Sequence, residues 1–405
     1  MGNIVLLGGN KLNQGFELTK KKLNIDNIIV IDWNKCPDYI GDICYQVDIK
    51  DYDAIIKLGI CWSDVLFVYT SADIAVETQI RLHRNMGLLS PSDESIKNAL
   101  IKGKSRDCWE KDGILNKYSV VIKYADEFVE CGFDKYIFKP NCSSGSRNIT
   151  ILNKNELSYK NIVRAVECAK EVSVDNKCIV EEFVDGVEYT IDMLGDDYGN
   201  VGVFGISKKY HTPYNTQNKI ATKLHYAPPD EDRNLLEKIA SFGQKCYKSI
   251  GLKNSFGHLE VIVSNSGKIV PVEIGARSSG FIATILLDLI NDVLYLDEYR
   301  RVLSGEKVKD GLTFDGSKSS MYYFYDIKPG ISSCSTNIMN FLPMGIQSYA
   351  SDRSNLMEGK IFNVVNADHE RYGFEILGGS SEVLNIKNIN EAEKNFNNVF
   401  VNKEK

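Results

Sequence analysis

The most constraining stretch of this sequence is His258–Gly280, which reads HLEVIVSNSGKIVPVEIGARSSG. It contains two runs in which apolar and polar residues alternate, Leu259–Val263 and Lys268–Ile274, joined by Ser-Asn-Ser-Gly. Alternation with period two on both sides of a Gly-containing turn predicts a β-hairpin. Each predicted strand carries one carboxylate among apolar neighbours, Glu260 on the first and Glu273 on the second.

The two carboxylates limit what this hairpin can do. A charged side chain on a mostly buried strand is costly unless it is compensated, and two carboxylates in one hairpin repel each other unless a cation lies between them. Mg²⁺ is the natural candidate, since it is held by one or two carboxylates plus substrate phosphates. Arg277 follows with Ser278–Gly280, a cation beside small residues that let a phosphate or carboxylate approach. The alternative is an ordinary hairpin with two solvent-facing glutamates.

Composition narrows the class of protein. A chain of 405 residues predicts two to three domains. A net charge of -6 without a basic stripe argues against nucleic-acid binding, and no apolar run reaches the roughly 18 residues of a membrane span. Ten cysteines without a C-x-x-C pair favour reduced thiols over disulfides or zinc. Because the N-terminus also lacks a signal-peptide pattern, we expect a cytosolic protein.

The N-terminal part predicts a parallel sheet with crossover helices, because strand and helix patterns alternate along it. The predicted strands are 3–7, 27–33 and 64–69, and the predicted helices are 51–59 and 73–86. A Gly-rich turn follows the first strand, and Asp32 lies about 20 residues beyond it, where a ribose-binding acid would fall. The turn reads GGNKLNQG and does not complete G-x-G-x-x-G. NAD binding therefore stays the weaker alternative to a scaffold that lends its strand ends to a substrate pocket.

The middle of the chain carries features suited to a nucleotide. The strand Tyr136–Pro140 runs into the Ser-rich loop 141–147, which predicts a flap of hydroxyl and backbone N–H donors over phosphates. The pattern is not a P-loop, since G-x-x-x-x-G-K-[ST] is absent from the sequence, and a plain hairpin turn is the alternative. A further strand is predicted at 148–152, a helix at 161–172 and another strand at 177–183. The end of this last strand, Glu181–Val184, offers polar edges and an apolar floor for an adenine ring. Glu188 then lies near enough to accept hydrogen bonds from ribose hydroxyls.

The remaining segments are predicted from periodicity. Residues 210–224 are polar and aperiodic, which predicts a mobile loop over a site. Helices are predicted over 231–250 and 281–303. The tail from about 320 predicts strands, with a short final helix over roughly 390–399.

Four motifs in this order resemble the ATP-grasp superfamily of carboxylate–amine ligases: Lys104, FKPNCSSGSR, IVEEFVDGVE and the hairpin. The likeness covers nearly the whole chain and is greatest to the branch of L-amino-acid ligases and related dipeptide-forming enzymes. It implies an α/β (α+β) ATP-grasp fold. The implied domains are a Rossmann-like pre-ATP-grasp domain over 1–90, an ATP-grasp domain over 91–330 with a lid at about 115–185, and a strand-rich C-terminal region over 331–405.

The resemblance also implies roles for individual residues. Lys104 and Lys139 would contact ATP phosphates, and the phosphate-covering loop would contain Ser143, Ser144 and Ser146. The adenine would lie against Glu181, Glu182, Phe183 and Val184, and Glu188 would bind the ribose. Lys209, or Lys208 in its place, would reach the phosphates, Glu260 and Glu273 would bind Mg²⁺ or Mn²⁺, and Arg277 would hold an acyl phosphate. Many relatives end the second metal strand in E-x-N-x-R, but here Gly275 stands at the Asn position, which removes one side-chain oxygen.

The implied reaction activates a substrate carboxylate with ATP as an acyl phosphate, which an amine then attacks to give an amide, ADP and phosphate. The alternatives are a carboxylase or formate-using transformylase of the same superfamily, an NAD-dependent oxidoreductase, and an idle nucleotide-binding protein. The expected partners are small-molecule carboxylates and amines, with no nucleic acid and no membrane, and a homodimer stays open. The sequence leaves the identities of acid and amine open.

Overall fold

The computed structural model describes residues 2–9, 16–115, 117–143, 147–215, 220–280, 283–366 and 370–401. Within these residues, no helix is long and apolar enough to cross a membrane. The mixed α/β architecture confirms the predicted fold class.

The N-terminal part is a four-stranded parallel sheet in the order β3-β2-β1-β4. Its strands are β1 (Asn3–Leu7), β2 (Ile28–Asp32), β3 (Ile43–Gln46) and β4 (Val65–Tyr69), and its helices are α1 (Phe16–Leu23), α2 (Tyr52–Ile55) and α3 (Val76–Asn85). Strands β1 and β2 are apolar and almost wholly buried, which is why their sequences predicted them. The edge strand β3 was missed because it is mostly exposed and has no apolar run.

Two helices, α4 (Asp93–Leu100) and α5 (Lys102–Lys111), connect this sheet to a small antiparallel sheet. That sheet has the order β5-β8-β6-β7 and packs against one amphipathic helix, α6 (Tyr159–Val172). Its strands are β5 (Ser119–Ile122), β6 (Lys135–Pro140), β7 (Thr150–Asn153) and β8 (Cys178–Glu182). The sheet falls inside the range predicted for the lid.

The largest sheet has nine strands and carries the predicted hairpin at one edge. The order is β13-β12-β9-β10-β11-β15-β19-β17, with β14 paired to β10. The strands are β9 (Gly186–Gly195), β10 (Val201–His211), β11 (Ala221–Tyr226), β12 (Ser255–Ser264), β13 (Ile269–Gly275), β14 (Gly311–Leu312), β15 (Lys318–Phe324), β17 (Gln347–Asp352) and β19 (Phe374–Ser380). A two-stranded ribbon is formed by β16 (Gly330–Ile331) and β18 (Ile361–Phe362). The helices are α7 (Arg233–Ser249), α8 (Ala283–Ile290), α9 (Tyr295–Leu303) and α10 (Ile386–Phe400).

Two predictions about this part were wrong in detail. The segment 210–224 is not one irregular loop, because β10 continues to His211 and β11 begins at Ala221, and the two strands pair antiparallel. Polar residues on one face of these strands concealed their alternation. Lys219 lies outside the described residues. The predicted helix over 281–303 is two helices, α8 and α9, separated by residues 291–294.

Candidate functional site

The hairpin brings its two carboxylates side by side. Glu260 on β12 is the direct cross-strand partner of Glu273 on β13, and such partners project from the same face of a sheet. The other neighbour of Glu260 is Thr190 on β9. Among the residues that the structure describes, no group of three or more His, Cys, Asp or Glu side chains is arranged to hold a metal ion. Two adjacent carboxylates therefore fit a hard cation that takes its other ligands from phosphates.

Each of these carboxylates is paired with a lysine. Lys102 Nζ lies 3.1 Å from Glu273 Oε2, and Lys209 Nζ lies 2.8 Å from Glu260 Oε1. Burial alone would raise the pKa of Glu273. The positive charge of Lys102, with smaller contributions from Lys139 and Arg277, outweighs this effect and lowers the pKa to about 2. The lysine beside each carboxylate can also contact phosphate oxygens.

A second charge cluster surrounds Glu181 at the end of β8. This carboxylate is fully buried and contacts three cations. Arg106 Nε lies 2.9 Å from Oε1, Lys117 Nζ lies 3.1 Å from Oε1, and Lys139 Nζ contacts Oε2. Burial raises the pKa of Glu181, but the three cations lower it well below its usual value. One carboxylate facing three cations leaves a surplus of positive charge, which suits a site for polyphosphate.

Burial lowers the pKa of two of these cations. The pKa of Lys117 falls to about 7, because burial and the neighbouring cations outweigh the attraction of Glu181. The pKa of Lys139 is also lowered, again mainly by burial. Arg106 keeps its charge, and its guanidinium also donates to the backbone oxygen of Val272 on β13. This arginine therefore joins the small sheet to the hairpin.

The structure does not bring Lys104 to this site. Its side chain is exposed on α5, whereas Lys102 and Arg106 of the same helix reach the acidic residues described above. Residues four apart lie on one helix face, but a residue two positions on is turned by about 200°. The motif named Lys104 on this helix, whereas the structure places Lys102 and Arg106 of the same helix, and not Lys104, beside the acidic residues.

The predicted adenine edge lies where β8 leads into β9. Glu182, Phe183 and Val184 are half-buried there, and Phe183 N donates to Lys135 O at 3.1 Å. The Glu181 side chain does not line this edge, because it is turned into the cation cluster. An adenine contact from this residue would therefore come from its backbone.

Glu188 lies on β9 within reach of the Glu260 pair. Its Oε2 is 3.9 Å from Lys209 Nζ and 3.6 Å from His211 Nε2. Lys208 lies on the opposite face of β10 and pairs with Glu231. The structure thus places Lys209, and not its neighbour, beside the predicted metal ligands.

The Ser-rich flap is described only at its edges. The backbone oxygen of Ser143 accepts a hydrogen bond from Lys102 Nζ at 3.0 Å. Ser144 and Ser146 lie outside the described residues, so their predicted contacts remain predictions.

Arg277 lies just beyond the hairpin and is held by the N-terminal part of the chain. Asp73 accepts from its Nε at 2.7 Å and from its Nη2 at 3.0 Å. Arg277 Nη1 donates to the backbone oxygen of Ser278, whose hydroxyl contacts the Tyr69 hydroxyl. Asp73 had no sequence signal, because it lies far from Arg277 along the chain. The pair forms only where the segment after β4 meets the loop after β13.

A buried aspartate supports the same loop from below. Asp192 Oδ1 accepts from Ser279 N at 3.1 Å and lies 3.1 Å from His258 Nδ1. His258 Nε2 in turn lies 3.9 Å from Glu260 Oε1. His225, on the neighbouring strand β11, is fully buried, and burial lowers its pKa to about 4, which makes it a neutral structural residue.

Comparison with known proteins gives this geometry a family context. A family model for the ATP-grasp domain matches residues 134–285. An uncharacterized protein, y4rH, of Sinorhizobium fredii (strain NBRC 101917 / NGR234) is 24% identical over 271 residues, 65% of this chain and 54% of that protein. The alanine–anticapsin ligase of Bacillus subtilis (strain 168) is 22% identical over 233 residues, 53% of this chain and 48% of the ligase. The chain thus spans about half the length of these curated relatives.

Solved structures extend the likeness to the whole fold. An L-amino acid ligase from Bacillus licheniformis superposes with a TM-score of 0.72 at 13% identity, covering 100% of this chain and 99% of that one. At this identity the match establishes the fold alone. The chain has the ATP-grasp fold and carries an ATP-grasp domain, as the motifs predicted.

Proposed function

We propose that this ATP-grasp chain is an ATP-dependent carboxylate–amine ligase that acts on amino-acid-type substrates. The observation that carries the proposal is the pair Glu260 and Glu273, opposed across one hairpin and each paired with a lysine. These two carboxylates would hold a Mg²⁺ ion, which would supply positive charge for the phosphates of ATP.

The surrounding residues are suited to bind different parts of ATP and of the substrate. Lys102, Lys139 and Lys209 supply positive charge for the phosphates, and the half-buried edge Glu182–Val184 offers a place for the adenine. Arg277 lies past the metal strand, where an acyl phosphate formed on the substrate carboxylate would need a cation. Mg²⁺, when bound, would polarise the phosphoryl oxygens; Mn²⁺ stays a predicted substitute.

The substrate assignment rests on similarity to the L-amino acid ligase and to the alanine–anticapsin ligase. In such a reaction an amine attacks the acyl phosphate and phosphate leaves, so no protein nucleophile is required. The cytosolic location and the homodimer also stay predictions. All ten cysteines are free thiols, which agrees with a reducing compartment.

The test is a screen of single amino acids and amino-acid pairs for phosphate release from ATP with Mg²⁺, followed by mass spectrometry of the products. We expect one or more pairs to give phosphate together with a product lighter than the two acids by one water. Bicarbonate and formate serve as separate arms for the carboxylase and transformylase alternatives. Turnover with either of these, and none with amino acids, would refute the ligase proposal.

A further inference from the structure

Gly275 stands at the position where many proteins of the family that this chain resembles have Asn. The residues around Gly275 show what lies where that side chain would be. A Cβ atom at residue 275 would lie 3.4 Å from Asp73 Oδ1 and 3.4 Å from Arg277 Cγ. Such distances are ordinary van der Waals contacts, so a methyl group fits. A side chain that continues past Cβ meets a volume already bordered by the carboxylate of Asp73 and the stem of Arg277.

Asp73 comes from the N-terminal sheet. It begins a short 3₁₀ turn, Asp73–Ala75, four residues after the end of β4. Its two oxygens accept from two nitrogens of Arg277, and the side chains are only 19% and 18% exposed. Tyr69, at the end of the same strand, contacts the Ser278 hydroxyl. Tyr69 and Asp73, at and just after the end of β4, thus bind Ser278 and Arg277, two consecutive residues of the loop that follows β13.

The hydrogen bonds from Arg277 to Asp73 determine which carboxylate the guanidinium binds. Burial lowers the pKa of Arg277, while Asp73, Glu273 and Glu260 raise it above its usual value, so three acidic groups act on one guanidinium. Asp73 accepts from Nε and Nη2 of this guanidinium, and the backbone oxygen of Ser278 accepts from Nη1, so both edges of the guanidinium are engaged. Glu273 and Glu260 have Lys102 and Lys209 as their ion-pair partners instead. Without Asp73, the charges of Glu273 and Glu260 would act on Arg277 with no competing carboxylate bound to it.

We propose that Asp73 is a positioning residue that holds Arg277 away from Glu260 and Glu273, and that Gly275 provides the room for it. The proposal rests on the proposed function for the role of Arg277 as an anion-binding group. The carboxylate of Asp73 lies next to the space that a side chain at position 275 would occupy, and this carboxylate binds Arg277.

The test compares Asp73→Asn with a matched aspartate of the same domain, Asp53→Asn. Asp53 is largely exposed, and its partner Arg81 lies 3.7 Å away. With the ligase substrates, we expect Asp73→Asn to lower kcat by about tenfold to a hundredfold, since misplacing a catalytic group by about 1 Å has effects of this size. KM for ATP should change less than about twofold. Asp53→Asn should match the wild type in both constants.

A graded pair tests the role of Gly275. Gly275→Ala should stay close to wild type, because its methyl group fits, whereas Gly275→Asn should reproduce the Asp73→Asn defect. Gly59→Asn is the control, since nothing lies within 4 Å of a Cβ there. Equal losses for Gly275→Ala and Gly275→Asn would overturn the argument from space.

Two readouts separate positioning from loss of fold. In an Arg277→Met background, Asp73→Asn should have no further effect on kcat, because interacting residues are non-additive; a full additive loss would overturn the proposal. Binding of a nonhydrolysable ATP analogue should require severalfold more Mg²⁺ in Asp73→Asn than in wild type, and the same Mg²⁺ as wild type in the double variant. This second readout needs no turnover. If no amino acid gives phosphate release, the proposed function fails, while an unshifted Mg²⁺ requirement refutes the positioning role.

Discussion

Replacing Glu181 with glutamine tests how the cation cluster is stabilised. The substitution keeps the volume of the side chain and removes its charge. Arg106, Lys117 and Lys139 then remain buried beside a neutral amide. Because an unpaired buried charge is strongly unfavourable, we expect the variant to be destabilised in the absence of nucleotide.

The magnitude follows from the arrangement. Removing one partner of a buried ion pair costs about 3–5 kcal/mol. The three pairs do not add, since they share one carboxylate and since Lys117, with a pKa of about 7, releases its proton readily. We therefore expect a loss of about 3–5 kcal/mol in the free energy of unfolding. At roughly 2–4 °C per kcal/mol for a cooperative unit of this size, the midpoint should fall by roughly 6–20 °C.

The assay is urea and thermal unfolding at pH 7 without nucleotide, with Glu182→Gln as the control. Glu182 is the next residue on β8, half-buried and on the opposite face, so its variant should unfold like the wild type. The buried Lys117 loses its proton above about pH 7, whereas the same lysine in the unfolded chain keeps its proton up to about pH 10.5. The free energy of unfolding therefore rises with pH between these two values. Because Glu181 raises the pKa of Lys117, this rise in stability should begin at a lower pH in Glu181→Gln than in the wild type. A Glu181→Gln midpoint equal to that of Glu182→Gln would refute the reasoning.

Three further predictions follow from the site and its surroundings. Glu273→Gln should lower phosphate release by at least about a hundredfold while leaving the unfolding midpoint within a few degrees, because it removes a metal ligand without changing volume; an active variant would contradict the metal assignment. Lys102→Met should weaken binding of a nonhydrolysable ATP analogue by about tenfold, while Lys104→Met, on the exposed face, should not, as measured by calorimetry. Burial raises the pKa of Asp326 to about 6, so the folded state binds a proton that the unfolded state has lost, and stability falls as pH rises from about 4 to 6. Asp326→Asn, which keeps the acceptor for Thr212, should flatten this fall in urea titrations, and an unchanged slope would count against it.

Local patterns predicted the elements that are buried on a regular period. The hairpin, three strands of the N-terminal sheet (β1, β2 and β4) and α7 were found from apolar spacing, since burial itself imposes that spacing. The pairing of Glu260 with Glu273 followed from the turn between them. The edge strand β3 is mostly exposed, so burial imposes no apolar period on its residues.

Long-range contacts were beyond the sequence for a different reason. Lys117 lies in an irregular segment, and Asp73 follows a strand in another domain, so neither has a periodic signal that connects it to the site. Their roles arise when separate elements meet around Glu181 and Arg277. The choice of Lys104 over Lys102 had a local cause, because the family motif fixes a helix and not the rotation of that helix.

The continuity of the nine-stranded sheet has a consequence for engineering this protein. Strands β19 and β17 follow β15 in the same hydrogen-bonded sheet as the hairpin β12–β13, although they lie in the C-terminal part of the chain. Ending the chain after residue 330 would remove β19, one of the two strand partners of β15, and would uncover Tyr323, which packs in the core cluster that also contains Phe396 of α10. An unpaired apolar strand edge recruits other chains. Exchanging the C-terminal region between relatives at residue 330 is therefore expected to expose this strand edge. A chimera of two relatives should instead be joined within a surface turn.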